Sequence, residues 1–431
     1  TSALRETRNS LLILEQIRIK TGLIVVVLAN SEQRLLDYKS IILRGNRFQN
    51  DTEKGTAIID IGGGSIQISL FEEGSIVTTQ NIRLGVLRLR DKLMKLKPVQ
   101  SQIEGLVDEL IMNQFSTFKK LYLKDIKIET VSIVDDYVSV LFPKERFHIE
   151  NDEIEIEIFD EFVRELRENN KEELSKQYPI NADQLVLLHL ASIILKRITE
   201  IMNVKSIWAP GVSLCDGIAY EYAYEQNCLP KVHDFDRDVI HSAYQVNRKY
   251  EIGKKRTMRE ENNATLIFHA AQKLHGLGER ELLLLRTAAI LHDTGKYISL
   301  SLVGESSYSI IMGTEIIGLS HKERIIVACV AKYTHVDYDY YIHMSQLHPI
   351  DHPMYLIIGK LTAMLRVASV FNKSHKVKLK EIKAFHKGSK LLVTVDSAEN
   401  ILLERGLVEE RSKLFEDVFG VSVTLKQKRN L

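Results

Sequence analysis

The chain has 431 residues, a formal net charge of +1 and a hydrophobic fraction of 45%. This length predicts about two to four domains, and the near-neutral charge argues against a general nucleic-acid-binding protein, which would usually carry a basic excess. Three scattered cysteines exclude a disulfide framework. Since we find no apolar run of membrane-spanning length and no secretory signal, the expectation is a cytoplasmic protein with no membrane partner.

The first predicted elements are a helix over residues 5–21, a strand over 22–28 and a helix over 31–41. Glu32 stands in the first turn of the second helix, where an acidic side chain favours the helix N-terminus. The chain begins with Thr1 and passes directly into helical sequence. We therefore expect it to be a piece of a longer protein.

Residues 56–71 have the pattern of two strands joined by a glycine-rich turn. Thr56–Ile61 is a mostly apolar run with Asp60 near its end, and residues 66–71 alternate between apolar and polar side chains. Four residues form the turn: Gly62, Gly63, Gly64 and Ser65. Glycines allow positive φ angles and a close approach of backbone N–H groups to a ligand, and successive amides can bind an anion. A plain hairpin turn without a ligand remains the alternative.

The turn differs from the phosphate loop of P-loop enzymes, in which the glycines are followed by Lys and open a helix; here Ile66 begins a strand. A glycine turn between two strands, preceded by Asp60, resembles the second phosphate hairpin of the actin, hexokinase and sugar-kinase superfamily. In detail, DIGGGS followed by LGVLRL is similar to the exopolyphosphatase / guanosine pentaphosphate phosphatase (Ppx/GppA) family. The remainder of the chain agrees with that family in order.

The resemblance implies α/β actin/hexokinase-like (ribonuclease H-like) phosphate-binding lobes, then an all-α HD-like domain and a small C-terminal α+β domain. The four predicted regions are 1–41, the C-terminal remainder of the first lobe; 42–230, the second lobe with the phosphate hairpin; 231–375, the HD-like domain; and 376–431, the C-terminal domain. The first phosphate hairpin would precede Thr1.

The resemblance also implies Mg²⁺-assisted release of terminal phosphate from inorganic polyphosphate or guanosine pentaphosphate, in a homodimer. Asp60 would hold the metal or its waters, the turn at 62–65 would bind phosphate, and Glu32 would activate the attacking water. Gly211 loosely matches a glycine turn beside the family's active cleft, where a helix N-terminus could receive phosphate. An ordinary helix start is the alternative for Gly211.

Two departures weaken the match. The family usually has GGGSTE, whereas Ile66 and Gln67 stand here in place of Thr and Glu. A glutamine amide cannot serve as a carboxylate ligand or a base, and losing one such group can cost roughly two orders of magnitude in rate. The second hypothesis is therefore a catalytically weakened member that binds polyphosphate or alarmone as a sensor or scaffold.

His292 and Asp293 end a predicted helix and resemble the HD phosphohydrolase superfamily. There the pair binds a divalent metal together with a His from an earlier helix and an Asp from a later one. Arg256 and Ser369 stand at those two positions, and His335 is not at a matching position. We therefore expect a degenerate HD site without a transition metal. A phosphohydrolase that works from this domain is a third hypothesis, which a tightly held transition metal would favour.

Overall fold

The computed structural model describes residues 4, 7–45, 47–99, 102–124, 126–135, 137–169, 174, 180–230, 233–338, 350–373, 379 and 381–428. The chain divides into two compact units, Thr1–Asp234 and Phe235–Leu431. Each unit has its own hydrophobic core. The predicted division at 41/42 does not appear as a boundary between compact units.

The first unit is a mixed α/β structure. Its helices and strands, in chain order, are α1 (Ser10–Thr21), α2 (Asn30–Ile42), α3 (Arg47–Lys54), β1 (Thr56–Ile61), β2 (Ile66–Glu72), β3 (Ser75–Ile82), α4 (Val86–Leu96), α5 (Ile103–Tyr122), β4 (Thr130–Ile133), α6 (Val138–Leu141), β5 (Glu153–Glu155), α7 (Ile156–Glu168), α8 (Ala182–Met202), β6 (Ser206–Trp208) and α9 (Leu214–Glu225).

Six strands form one sheet in the order β3-β2-β1-β4-β6-β5. β1, β4 and β6 are parallel, and the outer strands are antiparallel to their neighbours. All six residues of β1 are buried, as expected for a central strand covered on both faces. Because the parallel strands end at the same edge, the segments that follow β1, β4 and β6 lie along that edge.

The predicted strand over residues 22–28 is wrong. These residues adopt no regular structure, and Leu23, Ile24 and Val26 are 64%, 84% and 76% exposed. A strand needs a neighbour that accepts and donates its backbone hydrogen bonds, and no strand pairs with this segment within the described part of the chain. Helix α1 likewise buries no side chain. The predicted start of this helix at residue 5 lies outside the described residues.

The second unit is mostly helical. Its elements are α10 (Phe235–Lys249), α11 (Lys254–Ala270), α12 (Gln272–His275), α13 (Glu279–Leu291), a 3₁₀ turn (Thr294–Tyr297), α14 (Val303–Gly313), α15 (His321–Tyr333), α16 (His352–Val370), β7 (Glu381–Lys387), β8 (Lys390–Asp396), α17 (Leu402–Arg411), α18 (Lys413–Phe419) and β9 (Ser422–Lys428). β7 and β8 are antiparallel, and β8 and β9 are parallel.

The C-terminal sheet does not form a separate core. Val393 of β8 and Phe415 of α18 belong to the same hydrophobic cluster as Leu285 of α13 and Leu365 of α16. The predicted division at 375/376 therefore runs through one compact unit rather than between two.

Helix α16 is the one described helix that is long and apolar enough to cross a membrane, although the sequence analysis found no such run. Within the unit, 67% of its apolar window is buried. This burial is that of a core helix, because its apolar side chains are already covered by neighbouring helices.

Candidate functional site

The glycine turn is fixed to the N-terminus of α4 through its carbonyl groups. Four hydrogen bonds anchor it: Val86 N–H to Gly62 O (3.0 Å), Leu87 N–H and Arg88 N–H to Gly63 O (2.9 and 3.2 Å), and Arg88 Nε–H to Gly64 O (2.6 Å). Arg88 lies on α4, and its contact with Gly64 supports the turn.

The backbone N–H groups of the turn, unlike its carbonyl groups, make no hydrogen bonds to α4. Gly62 N–H donates to Ser65 O at 2.9 Å, which closes the hairpin. The N–H groups of Gly63, Gly64 and Ser65 donate to no acceptor within the described ranges. These three residues are partly exposed, so three consecutive backbone donors remain available to an anion.

The glycines serve close approach rather than unusual backbone angles. Gly62, Gly63 and Gly64 all lack positive φ values, so the turn does not depend on the backbone conformations that only glycine adopts easily. A Cβ at Gly63 would lie 2.8 Å from Leu87 Cδ1. A Cβ at Gly85 would lie 2.4 Å from Ser65 N. Gly85 is therefore required for the approach of α4 to the turn, although the sequence analysis did not single it out within LGVLRL.

Asp60 lies directly beneath the turn and is buried. It is the register partner of Gln67 across β1 and β2, so the two side chains share one face of the sheet. Asp60 Oδ2 accepts hydrogen bonds from Gln33 Nε2 (2.8 Å) and Gln67 Nε2 (3.1 Å). Gln33 of α2 was not a predicted site residue; its position one residue after Glu32 was the available signal.

The residues around Asp60 fit one hard cation or the waters on it. Carboxylate and amide oxygens are both ligands for Mg²⁺. The Oε1 atom of Gln67 is buried and has no hydrogen-bond partner among the described residues, and its carboxamide already contacts Asp60. The set therefore offers a carboxylate and a neutral amide oxygen.

Glu32 has the helix N-terminal position that its sequence predicts. Its Oε2 atom accepts the Ala29 N–H at 2.7 Å in the first turn of α2. Helix α2 is held against α9 at Gly217, where an added Cβ would lie 2.1 Å from Leu36 O. Because Gln33 joins this turn of α2 to Asp60, Glu32 lies one residue from a direct contact with the hairpin.

Gly211 follows β6 and has a φ of +66°, a backbone conformation that favours glycine. The parallel register places it at the same edge of the sheet as Asp60, two strands away. Between them, after β4, lies Asp135, which the sequence analysis missed. Its Oδ1 atom accepts the N–H groups of Tyr137 (3.1 Å) and Ser139 (2.7 Å) at the start of α6. An acid after a buried strand was the signal for it.

The second unit contains a polar cluster at the end of α13. Asp293 Oδ1 lies 3.4 Å from His292 Nε2 and 3.3 Å from His335 Nε2. Asp293 Oδ2 lies 2.5 Å from Lys296 Nζ and 3.6 Å from Arg256 Nε. His335, which does not stand at a matching position of the HD motif in the sequence, follows α15 and Thr334, and its ring stacks on that of His292 with centroids 5.3 Å apart.

Burial controls the ionisation of this cluster. It lowers the pKa of His292 to about 4 and raises the pKa of Glu260, on α11, to about 7. Burial also opposes ionisation of Asp293, but His292, which is protonated at the low pH where Asp293 titrates, together with His335 and Lys296 more than offsets burial and holds the pKa of Asp293 well below its usual range. Charged forms of buried groups persist only where a partner compensates for lost hydration.

Two family models match the chain: the Ppx/GppA phosphatase family over residues 1–225 and Ppx/GppA phosphatase domain III over residues 240–412. The chain therefore belongs to the Ppx/GppA phosphatase family, a family of hydrolases.

Similar solved structures include a Ppx/GppA family member from Aquifex aeolicus, with 15% identity and a TM-score of 0.43 over 52% of this chain and 73% of that chain. An exopolyphosphatase from Cytophaga hutchinsonii has 14% identity and a TM-score of 0.43 over 54% of this chain and 75% of that chain. An exopolyphosphatase-like protein has 16% identity and a TM-score of 0.44, over 52% and 76%. No curated protein matches the chain.

Proposed function

We propose that this protein hydrolyses phosphoanhydrides, releasing terminal phosphate from inorganic polyphosphate or from guanosine pentaphosphate. The observation that supports this most directly is the turn at 62–65, whose carbonyls are bound to α4 while three of its amides have no acceptor among the described residues. Donors held in place before the substrate arrives stabilise the negative charge of a phosphoryl-transfer transition state. The turn would therefore bind the terminal phosphate.

Asp60 and the Oε1 atom of Gln67 would hold Mg²⁺ or its waters beside that phosphate. When bound, Mg²⁺ supplies charge neutralisation on the phosphate oxygens. Gln33 and the amide nitrogen of Gln67 donate to Asp60 Oδ2. These two contacts orient the carboxylate.

Glu32 would take a proton from the attacking water as the water oxygen bonds to the terminal phosphorus. The bond from that phosphorus to the bridging oxygen breaks, and the leaving chain is one phosphate shorter. Glu32 Oε2 accepts the Ala29 N–H, which fixes the side chain and leaves its other oxygen for the water. A base must be positioned before its pKa matters.

The test separates the capping role of Glu32 from its role as a base. Phosphate release by the full-length protein is measured from long-chain polyphosphate and guanosine pentaphosphate, with and without Mg²⁺. Glu32→Gln retains an oxygen for the Ala29 N–H but removes the base, whereas Glu32→Ala removes both. We expect Mg²⁺-dependent release that falls at least about 100-fold in both variants, with thermal stability lowered only in Glu32→Ala.

Glu109→Gln, at an exposed position of α5, is the matched control and should leave turnover unchanged. Full activity in Glu32→Gln would contradict the base and leave only the helix cap.

A second candidate is a weakened family member that binds polyphosphate or alarmone without efficient turnover. It is supported by Gln67, whose neutral amide contacts Asp60 at the position where the family usually has a carboxylate. The other side chain that contacts Asp60, Gln33, is also a neutral amide. Gln67→Glu distinguishes the candidates: a gain in phosphate release would show that the site is weakened only there. Polyphosphate binding without hydrolysis of either substrate, in the parent protein and in Gln67→Glu, would favour the sensor.

The finer family features are part of the same proposal. They are the actin-like character of the first unit, with 1–41 as the remainder of the first lobe, the HD-like character of the second unit, a homodimer and a cytoplasmic location. Gly211 is retained as a second phosphate or nucleoside contact, supported by its position at the same sheet edge as Asp60.

A further inference from the structure

We propose that the second unit holds one first-row divalent transition ion between Glu260, His292, Asp293 and His335. Three of these residues place one ligand atom each within 4.8 Å of the others, and Glu260 Oε1 lies 3.8 Å from His292 Nε2. Ligand atoms about 2.1 Å from a tetrahedral ion lie roughly 3.4 Å apart. The separations of 3.3, 3.4 and 3.8 Å around His292 and Asp293 are of that size.

The hydrogen bonding of His292 shows why a cation is needed at this point. His292 Nδ1 lies 2.9 Å from the carbonyl oxygen of Ala289, and a carbonyl can only accept, so Nδ1 carries the ring proton. In the neutral ring, Nε2 then presents a lone pair, and it faces carboxylate oxygens of Asp293 and Glu260. A lone pair facing two carboxylates is repulsive unless a cation lies between them.

A protonated His292 does not resolve this contact as well as a metal does. Its Nε2–H would have to reach carboxylate oxygens 3.4 and 3.8 Å away, beyond the usual hydrogen-bond length. A metal ion placed between these atoms can bind His292 Nε2 and both carboxylate oxygens at ordinary ligand distances. The Nδ1–H bond to a backbone carbonyl is also the contact that metal-bound histidines usually make with their second nitrogen.

Glu260 gives an independent indication. Its side chain is buried to 3% exposure. Its Oε2 atom accepts Asn372 Nδ2 at 2.8 Å, but Oε1 has no hydrogen-bond partner among the residues that the structure describes. That unpartnered oxygen is the atom that faces His292 Nε2. A buried carboxylate oxygen without a partner is costly, and a bound cation removes the cost.

The ligand set differs from that of the HD superfamily, to which the pair was compared. Arg256 and Ser369 stand at the other two ligand positions, and Ser369 Oγ donates instead to Arg366 O at 3.0 Å. Glu260, one helical turn after Arg256, and His335 replace them. Lys296 and Arg256 contact Oδ2 of Asp293, which leaves Oδ1 towards the histidines.

The ligands come from α11, from the end of α13 and from the residues after α15. Since Glu260, His292 and Asp293 are all at most 4% exposed, the ion would join three packed helices, as closed structural sites do. Two imidazole nitrogens and two carboxylate oxygens suit Zn²⁺, Fe²⁺ or Mn²⁺. His335 Nε2, now 3.1 Å from His292 O, would bind the ion in place of that contact.

The test measures metal binding rather than activity. The full-length protein is assayed for bound metal after purification, stripped with a chelator and titrated with Zn²⁺ and Mn²⁺ by calorimetry. We expect one ion per second unit and a melting temperature raised by about 5 °C or more at saturation. Glu260→Gln and His335→Gln should each weaken binding at least about tenfold.

His269→Gln, at an exposed position of α11, is the control and should bind as the parent does. Asp60→Asn should also retain this ion, because Asp60 belongs to the first unit. Failure to take up either metal, or unchanged affinity in Glu260→Gln, would overturn the proposal. Glu260→Gln keeps the shape of the side chain, so it decides the question if His335→Gln fails to fold.

Discussion

The two units each place an aspartate in a buried polar cluster, but the surroundings of the two carboxylates differ. Asp60 in the first unit is contacted by the neutral amides of Gln33 and Gln67, and backbone N–H groups lie in the adjoining turn. Asp293 in the second unit is contacted by Lys296 and two histidines. The first arrangement is suited to an incoming anion, and the second to a cation enclosed by ligands.

The comparison shows that a motif and its geometry can change independently. In the first unit the glycines of the turn agree with the family's sequence pattern, while Gln67 departs from it. In the second unit Arg256 and Ser369 stand where the HD motif predicts ligands, yet Glu260 and His335 are the side chains that lie beside His292 and Asp293. A sequence motif gives the spacing of residues along the chain, whereas the properties of a site depend on which side chains are neighbours in the folded protein.

The largest effect is expected from Asp60→Asn, which removes the carboxylate of the first unit and leaves that of the second unit unchanged. Asparagine keeps the shape but removes the charge that would hold Mg²⁺, so phosphate release should fall at least about 100-fold. Circular dichroism and thermal melting check that the fold is retained. Asp91→Asn, on the exposed face of α4, is the control. Unchanged turnover in Asp60→Asn would remove the hairpin from the mechanism.

A smaller effect is expected from Gly85→Ala, which tests the backbone cradle without changing a charge. The new Cβ would meet Ser65 N at 2.4 Å and Gly63 O at 2.5 Å, backbone atoms that cannot rotate away. We expect a loss of about 1–3 kcal/mol in the free energy of unfolding, together with weaker phosphate binding measured by calorimetry.

Gly105→Ala is the control for that substitution, because nothing lies within 4 Å of its Cβ position in α5. Alanine there should be neutral or stabilising by up to about 1 kcal/mol. Equal behaviour of the two variants would mean that α4 and the turn separate easily.

The smallest effect concerns Glu323, a carboxylate of the second unit outside the polar cluster around Asp293. Burial raises its pKa, but the ion pair with Arg280 (2.6 Å) and the hydrogen bonds with Ser320 lower it further, so the net pKa is below its usual value. A depressed folded-state pKa stabilises the fold above the unfolded-state pKa of about 4.3. This stability is lost as the pH falls towards the folded-state pKa.

Glu323→Gln should therefore lower the free energy of unfolding by about 1 kcal/mol at pH 7, and the difference from the parent should shrink below about pH 4. Denaturant unfolding at pH 7, 5 and 3.5 measures this difference, with the exposed Glu409→Gln as control. A difference that stays constant with pH would show that the ion pair does not stabilise the unit.

Several elements could be predicted because their signals are local. The glycine hairpin follows from a continuous and an alternating run of apolar residues, and its strands are observed at Thr56–Ile61 and Ile66–Glu72. Helix α2, predicted over 31–41, is observed at Asn30–Ile42. Whether residues 22–28 form a strand could not be predicted from their local sequence. Its apolar residues have strand character, but a strand exists only with a neighbour, and sequence composition does not show whether one is present.

The sequence by itself determined the hairpin, its aspartate, the family and the helical character of the second unit, because these depend on residue type at short spacing. Only the tertiary structure decided that Gln33 reaches Asp60, that Gly85 lets α4 approach the turn, and that Glu260 and His335 meet His292 and Asp293. These contacts join residues that are 20 to 42 positions apart in the sequence, which is farther than a single hairpin turn or helical turn spans. Packing brings them together, and no local pattern encodes it.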